Sequence, residues 1–328
     1  MRKKSKSVSP GVSNLLLYLF FIIVILSCGA SLKQPELIQT GNNKDTIISL
    51  RLLATTGPEI ADNQYLRYPT HIVTNNIGNI FITDSNLHKV IRLESNLNYI
   101  SDQGGIGISL SGLNNPKGLS CDAALNVYVA DSGNKSIKAL DRNLRFASEI
   151  ESYTNDNGES ERFINPVDLA VDNEGNLWIA DYDRILKISP FNELLLEISY
   201  NAPGNFSVGQ VSSIVISEND QIAAADPEYS RIVVFSPYGQ VLSEINSGPV
   251  SSLAWDNNLI WAVSESGQTV SVFSISGNLL FKWAESVPGS KINAIAIDRN
   301  KSIIMIDSGR KKILLYEKIS GIGTDSEN

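Results

Sequence analysis

Five aspartates recur along the chain at the ends of short apolar runs, and their spacing is the first feature that could support chemistry. They are Asp84, Asp131, Asp181, Asp226 and Asp307. A repeating fold would bring these carboxylates to one face of the molecule. Oxygen ligands of this kind are those that a hard cation such as Ca²⁺ prefers.

A structural role accounts for the same aspartates more fully. Most are followed at a similar distance by a base or a hydroxyl, namely Lys89, Ser136, Arg184, Arg231 and Lys312. One further copy has Ser264 in place of the aspartate and Thr269 in place of the base, so both partners are lost together. This joint loss predicts that each aspartate binds the backbone of its own turn and a neighbouring base. We therefore predict no metal site from the pattern.

The residues between the aspartates predict the elements that position them. Residues 166–198 contain four short apolar runs separated by turns, which predicts a four-stranded antiparallel meander. Within it, Asp172-Asn173-Glu174-Gly175-Asn176 supplies the residue types of a tight turn. Six copies of this unit begin at Pro69, Pro116, Pro166, Val211, Val250 and Ile292. Their period of about 40–50 residues is typical of propeller blades.

The second and third copies resemble the NHL-repeat family of β-propellers. Pro166 to Asp181 reads Pro-x-x-Leu-Ala-Val-Asp and then Gly-Asn-Leu-Trp-Ile-Ala-Asp, and Pro116 to Asp131 follows the same pattern. The Gly-rich segment 104–112 is also typical of that family. The resemblance covers about residues 47–317, although the fourth and fifth copies are degenerate. It implies an all-β fold, a six-bladed β-propeller of four-stranded antiparallel blades over residues 47–318.

Closing such a ring requires a fourth strand for the last blade. The residues after Glu317 are short and polar, and we assign 319–328 to a C-terminal tail. The apolar segment Ile47 to Ala54 precedes the first blade and has no other predicted partner. We therefore predict that this N-terminal strand completes blade six and closes the ring.

The beginning of the chain carries features of bacterial export. Basic residues precede an unbroken apolar run from Leu15 to Leu26, which is short for a bilayer span but suits a signal peptide. The Ser27-Cys28 junction resembles the lipobox of bacterial lipoproteins. We predict a signal peptide over 1–27, a lipidated Cys28 and a flexible tether over 28–46, which would anchor the protein in the bacterial cell envelope on a periplasmic or surface face. An ordinary signal peptide or an uncleaved anchor remains the alternative.

Composition limits the function classes. The chain has 27 Lys and Arg against 35 Asp and Glu, a net charge of −8, and loss of the basic signal would leave it more acidic. This balance disfavours nucleic acid as a partner. With Cys28 lipidated, Cys121 has no partner for a disulfide and is predicted to be a small buried hydrophobe.

Function is expected where the copies differ. Directly before the first strands, the ionisable residues are His71, Lys117 and Asp168. The loops between second and third strands add an aromatic and charged set, namely His88, Tyr182, Asp183, Glu228, Tyr229 and Arg310. In a propeller both groups of loops lie on one face, so we predict a ligand-binding or partner-binding site there, mainly over blades one to four. The alternative is that these are ordinary solvated loop residues.

Two function classes follow. The first is a monomeric, non-enzymatic binding or scaffolding module for a protein, peptide or glycan in the envelope, without a cofactor. The second is a metal-dependent hydrolase or lyase, because the resemblance extends to gluconolactonase-like propellers and the peptide-amidating lyase, in which Ca²⁺ or zinc would sit in the channel. The chain has only two histidines and no nucleophile, phosphate-loop or HExxH motif, so we assign no catalytic residue and favour the first class.

Overall fold

The computed structural model describes residues 47–61, 64–107, 111–199 and 207–320. These residues form six four-stranded antiparallel sheets and two short hairpins. The first strand of each sheet packs against the first strands of its two neighbours, and the sixth packs against the first. The six sheets are therefore the blades of a closed ring, and the predicted six-bladed β-propeller is confirmed.

The strands follow in chain order. The first described strand and a hairpin are β1 (Ile47–Thr56), β2 (Glu59–Ala61) and β3 (Gln64–Tyr65). Blade 1 comprises β4 (Pro69–Thr74), β5 (Ile80–Asp84), β6 (Lys89–Leu93) and β7 (Tyr99–Gly104). Blade 2 comprises β8 (Pro116–Cys121), β9 (Val127–Asp131), β10 (Ser136–Leu140) and β11 (Phe146–Ile150), and a second hairpin follows with β12 (Ser152–Thr154) and β13 (Ser160–Arg162).

The remaining blades continue the pattern. Blade 3 comprises β14 (Pro166–Val171), β15 (Leu177–Asp181), β16 (Arg184–Ile188) and β17 (Leu194–Ser199). Blade 4 comprises β18 (Ser213–Ile216), β19 (Ile222–Asp226), β20 (Arg231–Phe235) and β21 (Val241–Asn246). Blade 5 comprises β22 (Val250–Asp256), β23 (Leu259–Ser264), β24 (Thr269–Ser274) and β25 (Leu279–Ala284). Blade 6 takes β26 (Ile292–Ile297), β27 (Ile303–Asp307) and β28 (Lys312–Ser320) together with β1.

The turns form for the reason that the residue types predict. Between β14 and β15, one carboxylate oxygen of Asp172 accepts the backbone N–H groups of Glu174 at 3.1 Å and Asn176 at 2.8 Å. Gly175 adopts a φ of 83°, in the left-handed region that glycine enters without a steric penalty. The side chain and the glycine together close the chain between two strands.

The hydrophobic core lies between the blades. Trp178 of blade 3, which is fully buried, packs in one cluster with Ile222, Val233 and Phe235 of blade 4. Similar clusters join the other neighbouring blades. Burying one such side chain contributes about 1.5–3 kcal/mol. A blade has apolar residues on both faces, so only neighbours on both sides can bury them.

The ends of the chain close the ring in blade 6. β1 pairs antiparallel with β28, from Ile47 opposite Ser320 to Thr56 opposite Ile313. Ile47 is buried in the cluster that blades 5 and 6 share. The predicted closure by an N-terminal strand is confirmed, and β28 continues two residues beyond the predicted limit of 318.

Both short hairpins were missed by the sequence analysis. The β12–β13 hairpin lies at the rim between blades 2 and 3, where the N–H of Thr154 donates to the carbonyl of Asn192 at 2.8 Å. Tyr153 and Phe163 pack into the cluster between those blades. The connection that the sequence presented as a loop therefore fills the gap between two blades.

We call upper face the side that carries the loops before the first strands and those between second and third strands. The lower face carries the remaining turns. The predicted signal peptide, Cys28, the tether to residue 46 and residues 321–328 of the tail lie outside the described residues, as do residues 108–110 of the Gly-rich segment. In the described part of the chain, no helix has the length and apolar character needed to cross a membrane.

Candidate functional site

The recurring aspartates are buried at the upper ends of the second strands in every blade except blade 5, which has Ser264. Asp181 accepts the N–H of Ile164 at 2.9 Å and that of Asn165 at 2.6 Å, directly before the first strand of its own blade. Asp84 does the same for Arg67 and Tyr68. Asp131, Asp226 and Asp307 bind the N–H groups of Asn114, Gly209 and Lys291. The aspartates have a structural role, but their backbone partners differ from the prediction, because each carboxylate binds the chain that precedes its blade. Among the described residues, only Asp84 and Asp307 also accept backbone N–H groups of their own turns.

The basic partners are only partly those predicted. Arg184 lies 2.9 Å from Asp181, and Arg231 lies 3.1 Å from Asp226, as expected. Lys89 instead pairs at 2.8 Å with Asp102 of the fourth strand.

Two further partners differ from the prediction. Ser136 donates to Glu149, and the nearest ammonium to Asp131 is that of Lys138, at 3.7 Å. Asp307 pairs with Arg310 from within the turn, rather than with Lys312. Burial opposes the ionisation of Asp307, but donors from Ser290, Lys291 and Arg310 outweigh it and lower the pKa of this carboxyl. Burial instead raises the pKa of Asp131.

The channel along the ring axis is lined by the first strands of all six blades and encloses about 240 Å³. Most lining residues are apolar. His71 contributes an imidazole at the upper end of β4. Cys121 also lines the channel, where burial and the nearby charge of Asp122 raise the pKa of its thiol to about 12. A thiol held neutral in this way is a poor nucleophile.

His71 and Asp168 meet across blade 2. The Nε2 atom of His71 lies 3.2 Å from Oδ1 of Asp168, and its Nδ1 accepts the N–H of Leu119 at 3.3 Å. The intervening residue is Gly118, where an added Cβ would lie 2.2 Å from that same Oδ1. Glycine at this position therefore lets blades 1 and 3 contact each other through their side chains.

Equivalent positions in other blades make a similar contact. Oδ2 of Asp168 accepts the N–H of Ile214 in blade 4 at 2.8 Å. Ser213 and Ser252 accept the N–H groups of Leu253 and Ile295 in the next blade, both at 3.2 Å. The residue directly before the first Ile or Leu of the first strand therefore links neighbouring blades in these copies. Both nitrogens of His71 are engaged, and Asp168 is only 1% exposed at its side chain.

Lys117, the third ionisable residue of the channel trio, does not join this contact. Its carbonyl accepts the hydroxyl of Thr83 at 2.5 Å. Among the described residues, its ammonium has no ion-pair partner.

The predicted upper-face loop residues are mostly exposed. Tyr182 and Tyr229 are 43% and 51% exposed on neighbouring blades 3 and 4. The guanidinium of Arg231 lies 4.9 Å above the Tyr229 ring, which orients the ring. Asp183 is exposed beside Tyr182, and a carboxylate oxygen of Glu228 accepts the N–H of Gln210 at 3.4 Å.

The other two loop residues have local roles. The Nδ1 of His88 accepts the N–H of Asn115 at 3.0 Å, and Arg310 is held by Asp307. The described residues contain no group of three or more His, Cys, Asp or Glu side chains placed to hold a metal ion.

A cavity on the lower face was missed by the sequence analysis. It encloses about 330 Å³ between loops of blades 4, 5 and 6, and we call it the lower-face cavity. Its lining comprises Ile216, Ser217, Glu218, Asn219, Gln221, Trp255, Asn257, Asn258 and Lys301. The signal available in the sequence was Trp255, at a position where the other copies carry small or aliphatic residues.

Several solved structures are similar to this chain. A streptogramin B lyase gives a TM-score of 0.57 at 12% identity, covering 83% of this chain and 98% of that one. A catalytically inactive variant of virginiamycin B lyase from Staphylococcus aureus with quinupristin gives 0.57 at 16% identity, covering 85% and 90%. A gluconolactonase from Xanthomonas campestris gives 0.59 at 14% identity, covering 77% and 86%.

No protein-family model matches the chain, and no curated protein matches its sequence. At such identities the structural similarities establish the fold alone. The chain is a six-bladed β-propeller that is similar in fold to virginiamycin B lyase and gluconolactonase structures.

Proposed function

We propose that this protein is an NHL-type propeller that acts as a non-enzymatic binding module of the bacterial cell envelope. In this proposal a protein or peptide segment binds the upper face over blades 1 to 4. A glycan is the other partner that the sequence left open for this face.

One observation carries the proposal. The polar groups that chemistry in the channel would need are already used, because both nitrogens of His71 are engaged and Asp168 accepts N–H groups from two blades. The exposed residues around them are instead aromatic and acidic. A rigid ring that presents tyrosines, together with charges that make no ion pair within the described part of the chain, suits recognition rather than proton transfer.

The contacts divide into three roles. Tyr182 and Tyr229 supply aromatic surface, while Asp183 and Glu228 favour basic side chains of the partner. Lys117 contributes a charged group at the channel mouth, while Asp168 holds the imidazole of His71 in position there.

The envelope location rests on the sequence, namely the basic start, the apolar run from Leu15 to Leu26 and the Ser27-Cys28 junction. The anchor is tested by intact mass of the membrane-extracted protein, and a chain that retains Met1 or begins elsewhere would contradict it.

The binding site is tested with surface variants that leave the core intact. Tyr182→Ala with Tyr229→Ala should abolish capture of specific envelope proteins in a quantitative pull-down, without a change in melting temperature. The matched control is Phe191→Ala with Tyr238→Ala, since these two aromatics are each 84% exposed on lower-face turns of the same blades. Equal capture by both double variants would refute an upper-face site.

The alternative, a metal-dependent hydrolase or lyase, is tested by the effect of calcium on stability. A ligand that binds only the folded state stabilises it by about 2.7 kcal/mol at one hundred times its dissociation constant. A melting temperature that rises strongly with calcium would favour the enzyme class over the binding module.

A further inference from the structure

The lower-face cavity adjoins the channel but belongs to a different part of the molecule from the upper-face site. Ile216 and Trp255 line both spaces, so the cavity is the lower mouth of the channel widened on the side of blades 4 to 6. Its volume of about 330 Å³ falls within the range of about 300–1,000 Å³ that is usual for small-molecule sites.

Blade 5 creates the cavity by departing from the repeat in two ways. β22 and β23 are joined by Asn257-Asn258 alone, whereas five residues join the first two strands of every other blade. Trp255 directly precedes Asp256, the aspartate at the start of that turn. At the equivalent position the other five blades carry Thr74, Cys121, Val171, Ile216 and Ile297. An aromatic ring therefore stands at the channel mouth in this blade, beside a shortened turn.

Trp255 lines the cavity, and the polar edge of its indole is already bonded. Its indole N–H donates to the carbonyl of Asn257, and its ring packs against the cluster between blades 4 and 5. The polar edge is thus satisfied within the turn, and the side chain is only partly buried. A satisfied indole edge leaves the ring itself as the binding surface.

Neutral polar groups surround this ring. Among the described residues, the side chains of Asn219, Gln221 and Asn258 make no hydrogen bond, so their amides can both donate and accept. Glu218 adds an exposed carboxylate. The lining ammonium of Lys301 lies 2.9 Å from buried Asp256, which also pairs with Lys318, so the carboxylates of Asp256 and Glu218 together balance these two ammonium groups.

These features select one class of ligand. A phosphate or carboxylate ligand would meet Glu218 and find no net positive charge in this region, because two carboxylates offset the two ammonium groups. An apolar ligand would leave several amides without partners. A sugar ring offers an apolar face for an indole and hydroxyl groups for amides and a carboxylate. We infer that the lower-face cavity binds a neutral mono- or disaccharide, stacked on Trp255 and held by Asn219, Gln221 and Asn258.

The inference does not depend on the proposed upper-face function, because the two sites share no residue. The test is isothermal calorimetry on the full-length protein in a detergent without a sugar headgroup. The probes are glucose, galactose, mannose, N-acetylglucosamine and cellobiose, with glucose 6-phosphate as the charged comparison. We expect saturable binding of at least one neutral sugar, and no tighter binding of the phosphorylated one.

Variants locate the binding. Trp255→Ala should weaken the affinity at least tenfold, and Trp255→Phe, which keeps a ring, should retain part of it. Asn219→Ala with Asn258→Ala removes exposed amides and should weaken it by a similar factor with unchanged melting, which covers the case in which Trp255→Ala fails to fold. Asn76→Ala, an exposed amide on the lower-face turn of blade 1, is the matched control and should bind as wild type.

Three results would overturn the inference. They are the absence of saturable binding across the neutral sugars, an unchanged affinity in the amide double variant, and a clear preference for the phosphorylated sugar. Tyr182→Ala with Tyr229→Ala should leave sugar binding intact. Loss of partner capture and loss of sugar binding are therefore distinguishable.

Discussion

Replacing Asp181 with alanine should destabilise the propeller strongly, because one side chain serves three donors. Its carboxylate accepts the N–H groups of Ile164 and Asn165 and pairs with Arg184 at 2.9 Å. Leaving a buried donor without an acceptor costs about 1–3 kcal/mol. Two such N–H groups give about 4 kcal/mol in total. Arg184 retains a neighbouring carboxylate in Glu161, at 3.7 Å, and adds less.

The matched control lies in blade 5, where Ser264 occupies the equivalent position. Among the backbone groups that the structure describes, its hydroxyl accepts only the N–H of Thr269, at 3.1 Å, so Ser264→Ala should cost about 1 kcal/mol. Asp181→Asn keeps one acceptor oxygen and should fall between the two alanine variants. Urea denaturation measures the differences in unfolding free energy, and calorimetry should show a melting temperature lower by about 10 °C for Asp181→Ala.

The reasoning would be refuted if Asp181→Ala unfolded with the same free energy as Ser264→Ala. Adding calcium provides a second test, which distinguishes a metal-binding role of the aspartates from a structural one. If the aspartates formed a metal-binding ring, calcium would stabilise the wild type and Asp181→Ala would abolish that effect. The structural role predicts the same stability difference with and without calcium.

Three further predictions concern packing, closure and pH. Gly118→Ala should destabilise the protein by about 1–3 kcal/mol, since its Cβ would overlap Asp168 of blade 3. Equal melting temperatures would mean that blade 3 can shift away from blade 2 without cost. Deleting residues 47–56 should expose the edge of β28 and promote aggregation, visible by light scattering, while deleting residues 29–44 should leave the melting temperature nearly unchanged. Burial opposes the ionisation of Asp256, but Lys318 and Lys301 outweigh burial, so the pKa of this carboxyl is lowered. The ionised carboxylate therefore stabilises the protein at neutral pH, and this contribution is lost as pH falls below about 4. Asp256→Asn should therefore be less stable than wild type at neutral pH, and a difference in unfolding free energy that persisted undiminished at about pH 3 would contradict this.

The repeat could be predicted from sequence because each blade is largely local. The turn between β14 and β15 depends on Asp172 and Gly175, which lie within a few residues of the groups they position. The alternation of apolar runs and turns in one copy therefore predicts four strands, and six copies predict the ring. Closure by β1 followed from the count of strands, since blade 6 lacked one.

Contacts between blades could not be predicted in the same way. His71 and Asp168 belong to separate copies, and they meet only because Gly118 leaves space between them. The β12–β13 hairpin was missed because its strands are three residues long and its burial depends on the gap between blades 2 and 3. These features depend on the curvature of the ring, which no single repeat encodes.

The sequence alone determined the strands of each blade and the structural role of the recurring aspartates, because both depend on contacts within one repeat, and the count of six copies determined the number of blades. Only the tertiary structure decided that His71 and Asp168 link blades, that the upper-face tyrosines remain exposed, and that Trp255 stands at a cavity. Those properties depend on which residues of different blades face one another, and that is fixed when the six sheets pack around a common axis.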